Sequence, residues 1–179
     1  MDDQAQEAAL EFFEGRGRFS ERDDYTGMEA SRIPELFVDY FQQLEPAQQQ
    51  RTARILGEIA LGHRPELAEH LPAATRLMVD LSVRRFGPSF ATLKADLEQL
   101  FADRGQLDAW SRAADATPPE GLDFRNDWHY PLQLWGVLYQ MGSPIARDAY
   151  DYFQQHATSA RFRQALTLAR GAYDRTLQR

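Results

Sequence analysis

The chain has no cysteine. Disulfides, zinc–thiolate centres and cysteine nucleophiles are excluded together, and a reducing compartment is the simplest setting. Lysine is nearly missing too: Lys94 is the only one among 20 basic residues. No run of about 18 apolar residues exists, so nothing reads as a membrane span. Met1 to Glu14 is acidic and lacks the basic-then-apolar order of a secretory leader, which makes a cytoplasmic location the expectation. No stretch sustains two-residue alternation, so no sheet is expected. Thr117 to Tyr130 is the only long stretch without helical periodicity.

What is present suits one folded domain over residues 1–179. Apolar residues make up 43% of 179, enough for a sizeable core. The net charge of −7 is uneven. Residues 1–30 hold nine acids and three arginines, a balance of −6, whereas Arg161 to Arg179 holds five arginines against Asp174, a balance of +4. Solvation and helix dipoles account for part of this polarity. The acidic N-terminal segment, 1–26, also offers a surface for a basic partner.

Helical signals run through the rest. Thr26-Gly27-Met28-Glu29 has capping-box form, ahead of Ile33, Leu36, Phe37, Tyr40 and Leu44 at helical spacing. Pro46 opens a helix with the stripe Ile55, Leu56, Ile59 and Ala60, and Gly62 closes it. Phe90, Leu93, Leu97, Leu100 and Phe101 form another stripe. Gly105 then separates it from Leu107 and Trp110. Pro131 opens a segment, Leu132 to Met141, with almost no polar face, which belongs in the middle of a fold. Ser143-Pro144 and Thr158-Ser159 precede the last two helices. The pattern predicts an all-α chain of about eight to ten helices.

One segment recurs. Asp39-Tyr40-Phe41-Gln42-Gln43 reappears as Asp151-Tyr152-Phe153-Gln154-Gln155, an offset of 112. At that offset residues 31–60 and 143–172 share 11 identities over 30 positions, among them Ala53/Ala165, Leu56/Leu168 and Ala60/Ala172. Each copy reads as a helical hairpin with Tyr and Phe of its first helix packed on its second. The architecture is then a compact bundle or a short HEAT-like stack of hairpins.

Few constellations suggest chemistry. His63, Glu66 and His70 have ligand spacing on a continuous helix, but Pro65 interrupts that helix, and no cofactor or metal is expected. Gly15-Arg16-Gly17-Arg18 reads as a turn rather than a phosphate cradle. Trp110 and Trp135 fall on apolar faces and read as core. The densest cluster is Arg125-Asn126-Asp127-Trp128-His129-Tyr130, in the long irregular segment where functional residues concentrate. Asp127 could orient His129 as a general base, yet no nucleophile motif accompanies the pair.

These features point to a noncatalytic protein-binding module. Its most concrete form is an acidic inhibitor of the immunity-protein type that masks a partner. The candidate contact residues are Glu21, Asp23, Asp24, Arg125, Asp127, Trp128, His129 and Tyr130. The alternative is an enzyme or small-ligand sensor with its site at Asp127 and His129. The net charge opposes nucleic-acid binding.

Overall fold

The computed structural model of the chain describes residues 45–65, 75, 78, 90–114 and 129–178. Among them are six α-helices and no strand: α1 (Pro46–Ala60), α2 (Ala91–Ala102), α3 (Arg104–Ala113), α4 (His129–Gln140), α5 (Pro144–His156) and α6 (Ala160–Leu177). The all-α expectation holds for these residues, and no helix among them is long and apolar enough to cross a membrane. By its contacts the chain forms two compact units. One is Met1–Leu81 with Pro88–Phe90, and the other is Ser82–Gly87 with Ala91–Arg179.

In the first unit, Pro46 takes the first helical position of α1, where its missing N–H costs nothing. Gln48 accepts a hydrogen bond from the Glu45 amide at 3.1 Å and so ties down the helix start. The inward face carries Ala53, Ile55, Leu56, Ile59 and Ala60, all at most 1% exposed. Gly62 has φ 75°. That left-handed turn lets the amides of Gly62 and His63 reach back to the carbonyls of Ile59 and Glu58. Thr75, Met78 and Phe90 are also buried.

The second unit is built around α4 and α5. Helix α4 packs on α2, α5 and α6, and α5 packs on α2, α3, α4 and α6. Tyr130, Leu134, Trp135, Val137, Leu138 and Tyr139 of α4 are all buried, as a helix without a polar face requires. Trp135 is fully buried, and its indole N–H donates to the Ala146 carbonyl at 2.8 Å. The ring thus fills the core without leaving its one polar atom unpaired. Trp110 is core as well, 5.2 Å from Phe101 between ring centres.

Caps set the register of these helices. Ser143 accepts from the Ile145 amide and Ser159 from the Phe162 amide, both at 3.2 Å. Asp103 accepts from the amides of Gly105 and Gln106 at 2.9 and 3.3 Å. This corrects the role given to Gly105, which lies inside α3. The helices α2 and α3 part at Asp103, whose carboxylate satisfies amides that have no intrahelical partner.

The repeated segment does not bury a repeated face. Leu56 and Ala60 of α1 are fully buried, whereas the matching Leu168 and Ala172 of α6 are exposed. Conversely, Gln50 and Arg54 are exposed where α6 buries Phe162 and Leu166. At 100° per residue the inward faces of the two helices differ by roughly 140°. The first helix of the earlier copy, 31–44, lies outside the described residues.

Candidate functional site

The second copy of the pentapeptide sits on α5, and its residues reach two neighbouring helices, α6 and α3. Ser143 at the cap and Pro144 in the first turn fix where α5 starts, and helical periodicity then distributes the side chains. Phe153 points into the core and meets Phe162 edge-on, with ring centres 5.2 Å apart. Gln154 donates to the Arg163 carbonyl at 3.0 Å and to the Thr167 hydroxyl at 3.2 Å, fastening α5 to α6. Arg163 in turn donates to the carbonyls of Ala157 and Thr158, beyond the end of α5.

Tyr152 turns the other way, toward α3. Its hydroxyl donates a hydrogen bond to Asp108. The Arg104 guanidinium lies over its ring, 4.5 Å from the centre, in cation–π geometry. The His156 imidazole stacks on the same ring at 4.1 Å and 16°. His156 is itself steadied by a 3.0 Å contact between Nδ1 and the Tyr152 carbonyl. Arg104 and His156 are exposed, and Tyr152 and Asp108 half-buried. Arg104 and Asp108 stand one helical turn apart on α3, so both reach one ring. The hydrogen bond to Asp108, with desolvation and the Asp108 charge, holds the Tyr152 phenol above its ordinary 10.0, against the pull of Arg104 and Arg112.

A second polar–aromatic network joins α4, α5 and α6. Tyr139 donates to Asp174 at 2.6 Å. Arg170 approaches Asp174 at 3.8 Å and lies 4.7 Å over the Tyr150 ring. Trp135 supports it from below, 5.0 Å from Tyr139 and 5.9 Å from Tyr150. Burial, and then the bond to Asp174 and its charge, raise the Tyr139 phenol above 10.0, while Arg170 opposes.

Two of the residues expected to contact a partner fall within the described part. His129 is exposed and Tyr130 buried, and both belong to the first turn of α4, not to the irregular segment. Tyr130 meets Trp110 edge-on at 6.3 Å, so its ring is committed to the core. Glu21, Asp23, Asp24, Arg125, Asp127 and Trp128 lie outside the described residues. Of the spaced histidines, only His63 is described, and it is exposed. No group of three or more metal-ligating side chains occurs among the described residues.

Sequence reasoning marked Tyr152 through the repeat but packed it on its own partner helix, α6. The hydroxyl and ring face α3 instead. Arg104, Asp108 and His156 carried no motif. Only the four-residue spacings of Arg104 to Asp108 and Tyr152 to His156 could have signalled them. No family model, curated protein or solved structure matches the chain, so its function is read from these side chains alone.

Proposed function

We propose that the chain is a noncatalytic, cytoplasmic protein-binding module, most concretely an inhibitor of the immunity type that masks a partner protein. The observation that carries this reading is the Arg104–Tyr152–His156 surface, braced by Asp108. Tyrosine and arginine dominate the energetically important positions of interfaces. Here the guanidinium, phenol and imidazole are already held against one another, so docking orders little that is mobile. The acidic segment 1–30 complements this anchor by steering a basic partner over longer range.

The test is affinity capture from the native lysate, followed by kinetics on the purified pair. Arg104→Ala and Tyr152→Ala are expected to speed dissociation at least about tenfold, because anchors act mainly on the off-rate. Reversing Glu21, Asp23 and Asp24 to Lys should slow association, and added salt should do the same to the wild type. Trp128→Ala reads out the 117–130 segment in the same assay. A captured partner that is indifferent to Arg104→Ala and Tyr152→Ala would sink the assignment of this surface.

A further inference from the structure

The imidazole of the Arg104–Tyr152–His156 surface is held in one tautomer. His156 Nδ1 lies 3.0 Å from the Tyr152 carbonyl, one turn earlier in α5. A carbonyl oxygen only accepts, so the hydrogen of this pair belongs to Nδ1. In the neutral ring Nε2 then carries the lone pair and is the acceptor. Stacking on the Tyr152 ring, at 4.1 Å and 16°, fixes the plane of the imidazole as well. The residue is exposed, so a docking protein can reach it.

The surroundings of this acceptor are rich in donors. From α3 come Arg104, over the Tyr152 ring, and the exposed Arg112, which also acts on the Tyr152 phenol. Asp108 of the same helix is engaged by the Tyr152 hydroxyl. From α6, Arg163 donates to the carbonyls of Ala157 and Thr158, the two residues that follow His156. Among the described residues, no group of α2 or α4 makes a hydrogen bond, ion pair or ring contact with His156. Guanidinium groups therefore outnumber carboxylates around it. A cationic side chain of a partner is disfavoured at this spot by like charge, and a neutral donor is not.

We propose that Nε2 of His156 accepts a hydrogen bond from a neutral donor of the partner, a backbone N–H or a hydroxyl, and that acid releases this contact. Protonation replaces the lone pair with an N–H, so that a donor faces a donor. It also sets a further cation beside Arg104 and Arg112, against a partner whose basic surface the segment 1–30 attracts. The sign follows. Binding is complete where the imidazole is neutral and weakens as pH falls through its titration. A partner carboxylate at the same place would give the opposite sign.

This rests on the protein-binding reading and adds the group contacted and the pH dependence of the contact. The first arm of the test needs no partner. Two-bond proton–nitrogen NMR of the whole chain should show neutral His156 carrying its hydrogen on Nδ1, and a hydrogen on Nε2 would overturn the proposal outright. The second arm uses the protein captured through Arg104 and Tyr152. Its affinity should fall at least about tenfold from above the His156 midpoint read by NMR to about two pH units below it. That midpoint should itself move to lower pH in the complex, because the partner binds the neutral ring. His156→Gln keeps a neutral acceptor and does not titrate, so it should hold the higher affinity at both pH values. His156→Arg carries a permanent cation and should bind weakly at both. The position is exposed, and circular dichroism should show both variants folded.

An affinity that ignores pH, rises on acidification, or falls equally in His156→Gln would overturn the proposal. A rise would give the place to a carboxylate, and an equal fall would give the pH dependence to other groups. Any of these with Arg104- and Tyr152-dependent capture intact leaves the protein-binding reading standing. Loss of that dependence, or failure to capture any protein, removes that reading and this proposal with it.

Discussion

Gly136 of α4 lies directly against Tyr173 of α6: a β-carbon at 136 would sit 2.6 Å from the Tyr173 hydroxyl oxygen and 2.9 Å from its Cε2. Glycine inside a helix costs about 1 kcal/mol relative to alanine, so this position gives up helix propensity for close approach. The Tyr173 ring is not free to swing away without disturbing its neighbours, since it packs 6.2 Å from Trp135 and 6.5 Å from Tyr139. Overpacking a tight contact costs about 1–3 kcal/mol, which outweighs the gain in propensity. Gly136→Ala should therefore lower the melting temperature. Adding Tyr173→Ala should cost less in that background than in the wild type, the sign of direct coupling. A Gly136→Ala protein that melts higher than wild type would show the contact to be soft.

Ser143 serves two helices at once. It caps α5 through the Ile145 amide, and its hydroxyl donates to Glu98 of α2 at 2.7 Å while the residue is 1% exposed. Loss of a serine cap costs about 0.5–2 kcal/mol. Ser143→Ala also leaves the Glu98 carboxylate without this donor, so the loss should fall in the upper part of that range. Ser143→Asp would keep a cap acceptor but set two carboxylates together, and should not rescue. Chemical denaturation of the two variants distinguishes a cap from a bridge.

The matched leucines of the repeat should respond very differently to the same substitution. Leu56→Ala creates a cavity in a fully buried place and should cost about 2–5 kcal/mol. Leu168→Ala removes a side chain that is 67% exposed, and such surface changes stay within about 0.5 kcal/mol. Phe153→Ala, fully buried against Phe162, should cost about 3–5 kcal/mol. Equal losses at 56 and 168 in equilibrium unfolding would contradict the burial described here.

What the sequence disclosed was what periodicity and caps encode. The apolar run around Trp135 marked the central helix because no polar face was left to meet water. Pro46, Gly62, Ser143 and Ser159 marked helix ends because their backbone chemistry suits only such places. Identity could not reveal burial: Leu56 and Leu168 share a residue type and a register, yet the neighbours of each helix decide which side turns inward. The candidate surface was hidden for a related reason. Arg104, Asp108, Tyr152 and His156 come from two helices, and only tertiary packing brings the side chains of α3 onto the ring of α5. Gly105 misled because a glycine next to a cap resembles a helix breaker.

Two phenols bound to carboxylates make stability depend on alkaline pH, with a sign that follows from their hydrogen bonds. Tyr139 donates to Asp174 and Tyr152 to Asp108, and both titrate above the ordinary 10.0 in the folded chain. The unfolded state therefore releases these protons first. Their contribution to stability is complete below pH 10 and disappears as pH rises through the raised values. Urea unfolding should show stability falling as pH rises above 10, less steeply in Tyr139→Phe and in Tyr152→Phe. The two sites differ in what raises them. For Tyr152 the bond to Asp108 is the largest cause, so Asp108→Asn should return most of its shift in an absorbance titration near 295 nm. For Tyr139 burial comes first, so Asp174→Asn should leave its ionisation still above that of free tyrosine. Each ionisation is isolated by subtracting the titration of the matching phenylalanine variant. If Asp108→Asn left the Tyr152 ionisation where it was, the hydrogen bond would not be what brings the α3 carboxylate and the α5 ring together.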